Sequence, residues 1–186
     1  MAASKFSVDS YKSALTGGGA RANQFAVYLT FPPFAKDVRA EGASQFLVTA
    51  AELPGQTIGI TNNTMYRGRQ VKLAGDRTFA PWTITVINDA SFNIRRALEK
   101  WMNGINGLVD NSGYLSPFDY QTDLVVTQLD RNNNELKTYK LYDCMPVDLG
   151  AIQVSFDSND TVEEYSVTFE IQDFETDFPG VSGQAR

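Results

Sequence analysis

The chain has 186 residues, 42% of them hydrophobic and 12% aromatic, which is the length of one domain with enough apolar surface for a core. A formal charge of −6 and a pI near 4.6 argue against the phosphate-neutralising surface of a non-specific nucleic-acid binder and against docking on anionic lipid. There is no histidine and one cysteine, Cys144, so the commonest general base and metal ligand is missing and an internal disulfide is ruled out. No apolar run approaches the roughly 20 residues that span a bilayer, and Met1 to Tyr11 lacks the apolar core of a signal peptide. The expected place of manufacture is a reducing cytoplasm.

Residues 1–23 are small and polar, with a joint at Gly17-Gly18-Gly19. No Lys-Ser or Lys-Thr follows at phosphate-loop spacing. Two readings stay open: a disordered tail, or an arm that orders on a partner chain through Phe6, Val8, Tyr11 and Leu15. Gln24 to Phe31 alternates Phe25, Val27, Leu29 and Phe31 as a strand, and Pro32-Pro33 stops it. Phe34 to Ser44 reads as a polar loop, and Gln45 to Leu53 as a second strand ended by Pro54-Gly55. Gln56 to Gly75 is weakly periodic: Ile58 and Ile60 alternate, Asn62-Asn63 interrupts, and Met65 to Leu73 is a second extended piece. Tyr66, Arg67 and Arg69 form a basic-aromatic cluster there, read as a solvated strand face or an intersubunit ion-pair surface rather than a nucleic-acid patch, because the overall charge is wrong for the latter.

Thr78 to Asn88 reads as a central strand with Trp82, Ile84 and Val86 on one face, and Pro81 belongs at a strand start. The period then changes. Ile94, Leu98, Trp101, Ile105 and Leu108 fall on one helical face within Ser91 to Gly107, with Asp89 or Ser91 as the cap and Gly104 or Gly107 as the stop. Arg95, Arg96, Glu99 and Lys100 fall on the outer side. Val109 to Thr122 reads as a loop. Asp123 to Asp130 and Leu136 to Cys144 read as strands joined by a turn at Arg131 to Asn134, with Pro146 ending the second. Two alternating runs follow, Ile152-Val154-Phe156 and Tyr165-Val167-Phe169-Ile171, and Asp157 to Asp160 between them gives a hairpin signal. The sum is seven or eight strands and one amphipathic helix: a mainly antiparallel β-barrel or sandwich with a flanking helix.

No catalytic set emerges. Asp157-x-Asn159-Asp160 lacks the glycine and closing glutamate of a calcium loop, there is no Gly-x-Ser-x-Gly, and no histidine stands by to activate Cys144, which reads as a small core residue. The expectation is a protein without enzymatic activity, cofactor or metal.

Gly75-Asp76-Arg77-Thr78-Phe79, Trp82-Thr83, Thr85-Val86 and Asn88-Asp89 before the helix, then Asp157-Ser158-Asn159 and the Val167-Thr168 strand, carry a family resemblance. Asn23 to Val27 and Leu53-Pro54 fit the same order. Over residues 23–175 the chain resembles the tail tube proteins of contractile-tailed, T4-like bacteriophages. The resemblance implies an arm (1–23), a tail tube domain (24–175) and a tail (176–186). It further implies rings of six that stack into a tube, with a sheath around it, a baseplate that nucleates it, a terminator that ends it, and genome passing through without specific binding. It implies no stable membrane association. Six copies in a ring would carry a formal −36. The expected contact residues are Phe6, Tyr11, Tyr66, Arg67, Arg69 and Arg77, and the helix packs through Ile94, Leu98, Trp101 and Ile105. A tube of a type VI secretion or tailocin-like system, and a monomeric ligand-binding barrel, are the alternatives.

Overall fold

The computed structural model describes residues 7–15 and 19–176, with the backbone alone at 62–64 and 66. Nine strands and four helices lie among them: α1 (Val8–Ala14), β1 (Phe25–Tyr28), α2 (Val38–Leu47), β2 (Val48–Ala51), β3 (Gln56–Tyr66), β4 (Arg69–Phe79), β5 (Trp82–Ile87), α3 (Asn93–Ile105), α4 (Pro117–Tyr120), β6 (Thr122–Leu129), β7 (Glu135–Leu149), β8 (Glu164–Glu170) and β9 (Asp173–Thr176). Every strand pairing is antiparallel. The main sheet runs β1-β6-β7-β8-β5-β2, with β9 also on β7. Within one chain this is an open path, sandwich-like, with β1 and β2 at its ends. The mainly antiparallel β class holds, and α2 joins the expected helix on the sheet.

β7 is the strand that both halves of the sheet share. Its first part pairs with β6 and β9, and its last part pairs with β8. The change of partner falls at Asp143, whose φ of 51° is a left-handed kink. Pro146 does not end this strand. It lies opposite Phe169, beside a register shift between Pro146 and Asp148, where a bulge tolerates a residue with no N–H.

The core lies between one face of the sheet and α2 with α3. The alternation in β5 and β8 puts Trp82, Ile84, Val86, Tyr165, Val167 and Phe169 inward. Ile94, Leu98 and Trp101 of α3 are fully buried against them, and Ile105 is partly buried. Trp101 meets Phe31 edge-on at 5.9 Å between ring centroids and Phe169 at 6.0 Å, while its indole N–H donates to the Tyr120 carbonyl at 2.6 Å. The cap residue is Phe92, at a left-handed φ of 54° and without a side-chain cap bond, rather than Asp89 or Ser91, while the Asp89 carboxylate accepts from the Asn93 N–H at 2.9 Å. Arg95 pairs with Glu99 and lies over the Tyr165 ring.

Several local expectations give way. Residues 38–47 are helical rather than loop and strand, because Asp37 caps the backbone N–H groups of Arg39 and Ala40 and small Ala40 and Ser44 are buried beside β1. The Ser44 hydroxyl accepts from the Leu29 N–H at 3.2 Å, satisfying backbone that has left the ladder. The Met65 to Leu73 piece is broken by a turn at Arg67-Gly68. Thr78 to Asn88 is two strands, because Ala80-Pro81 interrupts the ladder just before β5. Ile152 to Phe156 is a loop: both edges of β8 are already taken by β5 and β7, so no hairpin partner is wanted there. Helix α3 stops at Ile105, leaving Leu108 92% exposed. The Val109 to Thr122 loop contains the turn α4, and β9 adds a strand after the last one expected.

Trp101→Ala should cost about 3–5 kcal/mol of subunit stability, the usual range for emptying a buried aromatic site. Urea unfolding of the isolated subunit measures it, and an unchanged midpoint would contradict this placement.

Candidate assembly surface

The most distinctive surface is the β3–β4 ribbon. Two strands of 11 residues pair only with each other, forming a separate two-stranded sheet about 35 Å long at the usual rise per residue. It leaves the main sheet between β2 and β5, which are themselves paired. Its root is fixed twice: the Trp82 indole donates to the Glu52 carbonyl at 2.6 Å, and Phe79 packs edge-on against Phe174 at 5.3 Å. Its tip is a two-residue turn with φ of 47° at Arg67 and 79° at Gly68, the pair of positive angles that matches the twist of a hairpin. At mid-length, Gly59 and Gly75 approach so closely that a Cβ on Gly75 would meet the Gly59 carbonyl at 3.2 Å, and the register shifts beside them.

Among the described residues nothing covers the apolar side chains of this ribbon. Ile58, Ile60, Met65, Val71 and Leu73 are 39–71% exposed. An isolated two-stranded hairpin is at best marginal in water, so these side chains ask for a partner. The ribbon also holds the cations singled out from sequence. Arg67 and Arg69 flank the tip, Tyr66 sits opposite Arg69 in the ladder, and Arg77 lies near the root opposite Ile58. Tyr11 is 68% exposed on α1, whose stripe of Val8, Tyr11 and Leu15 faces solvent. Phe6 lies outside the described residues. Ile94, Leu98, Trp101 and Ile105 do pack together as the helix face.

Two further surfaces were not legible in the sequence. A groove of about 480 Å³ runs between the end of α3 and β7, lined by Met102, Ile105, Leu108, Met145, Pro146 and Leu149 among others. The loop after β7 exposes Val154, Phe156 and Val162. Their apolar alternation was visible, but it reads as a strand core until the pairing of β8 is known.

The face of the main sheet opposite the helices is polar. Thr83 meets Thr168 across β5 and β8 at 3.2 Å, and Thr127 meets Thr138 across β6 and β7 at 3.2 Å. The register places Asp123, Asp148, Glu164, Glu170, Asp173 and Glu175 on this face with Lys140. Lys140 bonds Asp123 at 3.1 Å, which raises its pKa, and the Tyr142 hydroxyl donates to Glu175 at 2.7 Å, which raises that of the phenol.

Among the described residues no group of three or more His, Cys, Asp or Glu could hold a metal, and no helix is long and apolar enough to cross a membrane. Cys144 is buried, and burial pushes its thiol up to about 12.

A family model described as phage tail tube protein matches residues 20–177. The tail tube protein of Serratia phage KSP90 is 27% identical over 86% of this chain and 90% of its own. The tail tube protein gp19 of Enterobacteria phage T4 is 28% identical over 59% of this chain and 68% of its own. Among solved structures, a chain of the anti-feeding prophage baseplate is similar at a TM-score of 0.62 and 11% identity, covering 87% of this chain and 97% of that one. A chain from the sheath/tube terminator of an extracellular contractile injection system, PVC, matches at 0.62 and 12% identity, covering 85% and 96%.

In the folded subunit Cys144 should resist alkylation near pH 8 and react once denaturant is added. The unfolded thiol ionises near its ordinary 9.0 and the folded one near 12, so the thiol's contribution to stability is lost as pH rises through that window. Cys144→Ala should make the alkaline loss of stability shallower, as read by melting temperature against pH; rapid labelling of the native protein would contradict the burial.

Proposed function

Because this chain belongs to the phage tail tube protein family, a structural and non-enzymatic family of the virion tail, we propose that its copies close into rings of six that stack into the inner tube of a contractile tail. The observation that carries this reading is the β3–β4 ribbon, whose apolar side chains no described residue covers, together with a main sheet that stays open within one chain. A chain with open sheet ends and an exposed apolar ribbon is stable against random pairing only when copies of itself take those places, and closure of strands around a ring removes the edges altogether.

In this arrangement residues 24–175 form the tube domain. Residues 1–23 form an arm that, with the ribbon, joins successive rings through Phe6, Tyr11, Tyr66, Arg67, Arg69 and Arg77. The polar face of the sheet lines the channel. Six carboxylates against one lysine give that face a net −5. Such a wall repels phosphate and lets DNA pass without sticking. The outer side of α3, with Arg96, Glu99 and Lys100, faces the sheath. Baseplate and terminator proteins bind the two ends of the stack. Assembly takes place in the host cytoplasm, which suits a fold with one buried thiol and no disulfide. Membership of a phage family places genome ejection ahead of a secretion-system tube, and ahead of a ligand-binding barrel.

Negative-stain electron microscopy of the purified protein, at low and high concentration and then with baseplates added, tests this. Rings or tubes with an open channel are expected. A monomer that fails to polymerise even on baseplates would overturn the reading. Removing residues 1–19 should shorten the tubes or lower their yield; unchanged length and yield would remove the arm from the ring contacts.

A further inference from the structure

We propose that the β3–β4 ribbon of one copy lies along the loop at residues 150–163 of a neighbouring copy, with basic side chains of the ribbon against acidic side chains of the loop and an apolar seam between them. The pairing rests on the tube reading above and names the two surfaces that meet.

The ribbon is the basic part of an acidic protein. Residues 56–79 hold Arg67, Arg69, Lys72 and Arg77 against Asp76, a net +3 in a chain of −6. The 150–163 loop is its counterpart, with Asp157, Asp160 and Glu163 and no cation, a net −3. Each surface also carries an uncovered apolar row. On the ribbon it is Ile58, Ile60, Met65, Val71 and Leu73. On the loop it is Val154, Phe156 and Val162, with Phe156 as exposed as in an extended chain, at 106%. The loop is shaped rather than slack: the Asp157 N–H donates to the Ser155 hydroxyl, the Ser158 N–H to the Ser155 carbonyl, and Asp160 adopts a φ of 58°.

These exposures show that neither surface covers the other within one chain, so the contact is between copies. Two different patches meeting make a heterologous contact, the kind that generates closed rings or open stacks rather than a two-fold dimer. The apolar seam supplies affinity, and the charges set register and speed of encounter. Other surfaces fit the ribbon less well. The channel face is acidic too, but carboxylates, threonine and serine dominate it, so it offers the apolar row little to meet. The groove between α3 and β7 is apolar but has Glu99 as its one charge, already held by Arg95.

Paired charge reversals test the contact. Arg69→Glu with Lys72→Glu, and separately Asp157→Lys with Asp160→Lys, should each slow tube growth on baseplates about tenfold or more, while all four together restore it to within about threefold of the wild type. Circular dichroism of the unassembled subunits should be unchanged in every variant, since all four side chains are on the surface, and melting should fall only slightly where Lys replaces Asp160 at its left-handed φ. If either pair leaves growth unchanged, or the fourfold variant grows no better than the weaker pair, the contact is wrong while the tube stands. A wild type that fails to grow in the same assay brings down the tube reading and this contact with it.

Discussion

Trp101 holds the subunit together. Its ring touches Phe31 beyond β1 and Phe169 on β8, Phe169 touches Trp82 on β5, and its indole N–H is taken by Tyr120 just ahead of β6. One side chain on α3 thus fixes the helix against strands from both halves of the sheet. The stack also uses its polar atom, so it costs no unsatisfied donor in the core. With α3 seated, one face of the sheet is sealed. The other is left polar, and that asymmetry decides which parts of the molecule remain to be covered by neighbours.

What remains is mostly edge and ribbon. The sheet ends at β1 and β2, and the β3–β4 ribbon extends from the β2–β5 pair with both faces wet. Trp82 is the hinge between the two regimes: its ring belongs to the core, while its N–H ties down Glu52 at the ribbon's root. The subunit is therefore a finished core carrying an unfinished extension. Burial of apolar surface stabilises the core without help, whereas the extension gains it only in an assembly. A basic extension on an acidic body adds a directional preference for another copy, because like surfaces repel and unlike ones attract.

The core was largely legible in the sequence, because period-two and period-3.6 patterns survive wherever one face is buried. Trp82-Ile84-Val86, Tyr165-Val167-Phe169 and Ile94-Leu98-Trp101 all pointed where the fold puts them. The same logic failed where apolar residues stay exposed in the subunit. Val154 and Phe156 alternate like a strand yet stand in solvent, and Leu108 continues the helical stripe past the point where the backbone has left the helix. Helix α2 was hidden because its buried positions, Ala40 and Ser44, are small and its large residues Val38 and Phe46 are exposed. The ribbon was half visible. Its residues read as extended and its cations as a contact, but Arg67-Gly68 is a weaker turn signal than Asn-Gly, so the two strands were not seen as one hairpin. Order along the chain, rather than any single motif, carried the family resemblance, and the family model matches residues 20–177.

The central claim is that the subunit completes its fold in the assembly. Amide hydrogen exchange across residues 56–79, measured in free subunits and in assembled tubes, tests it most directly. The account predicts fast exchange in the free ribbon and strong protection in the tube, with β5, β7 and β8 protected in both. Equal protection of the ribbon in the two states would contradict it.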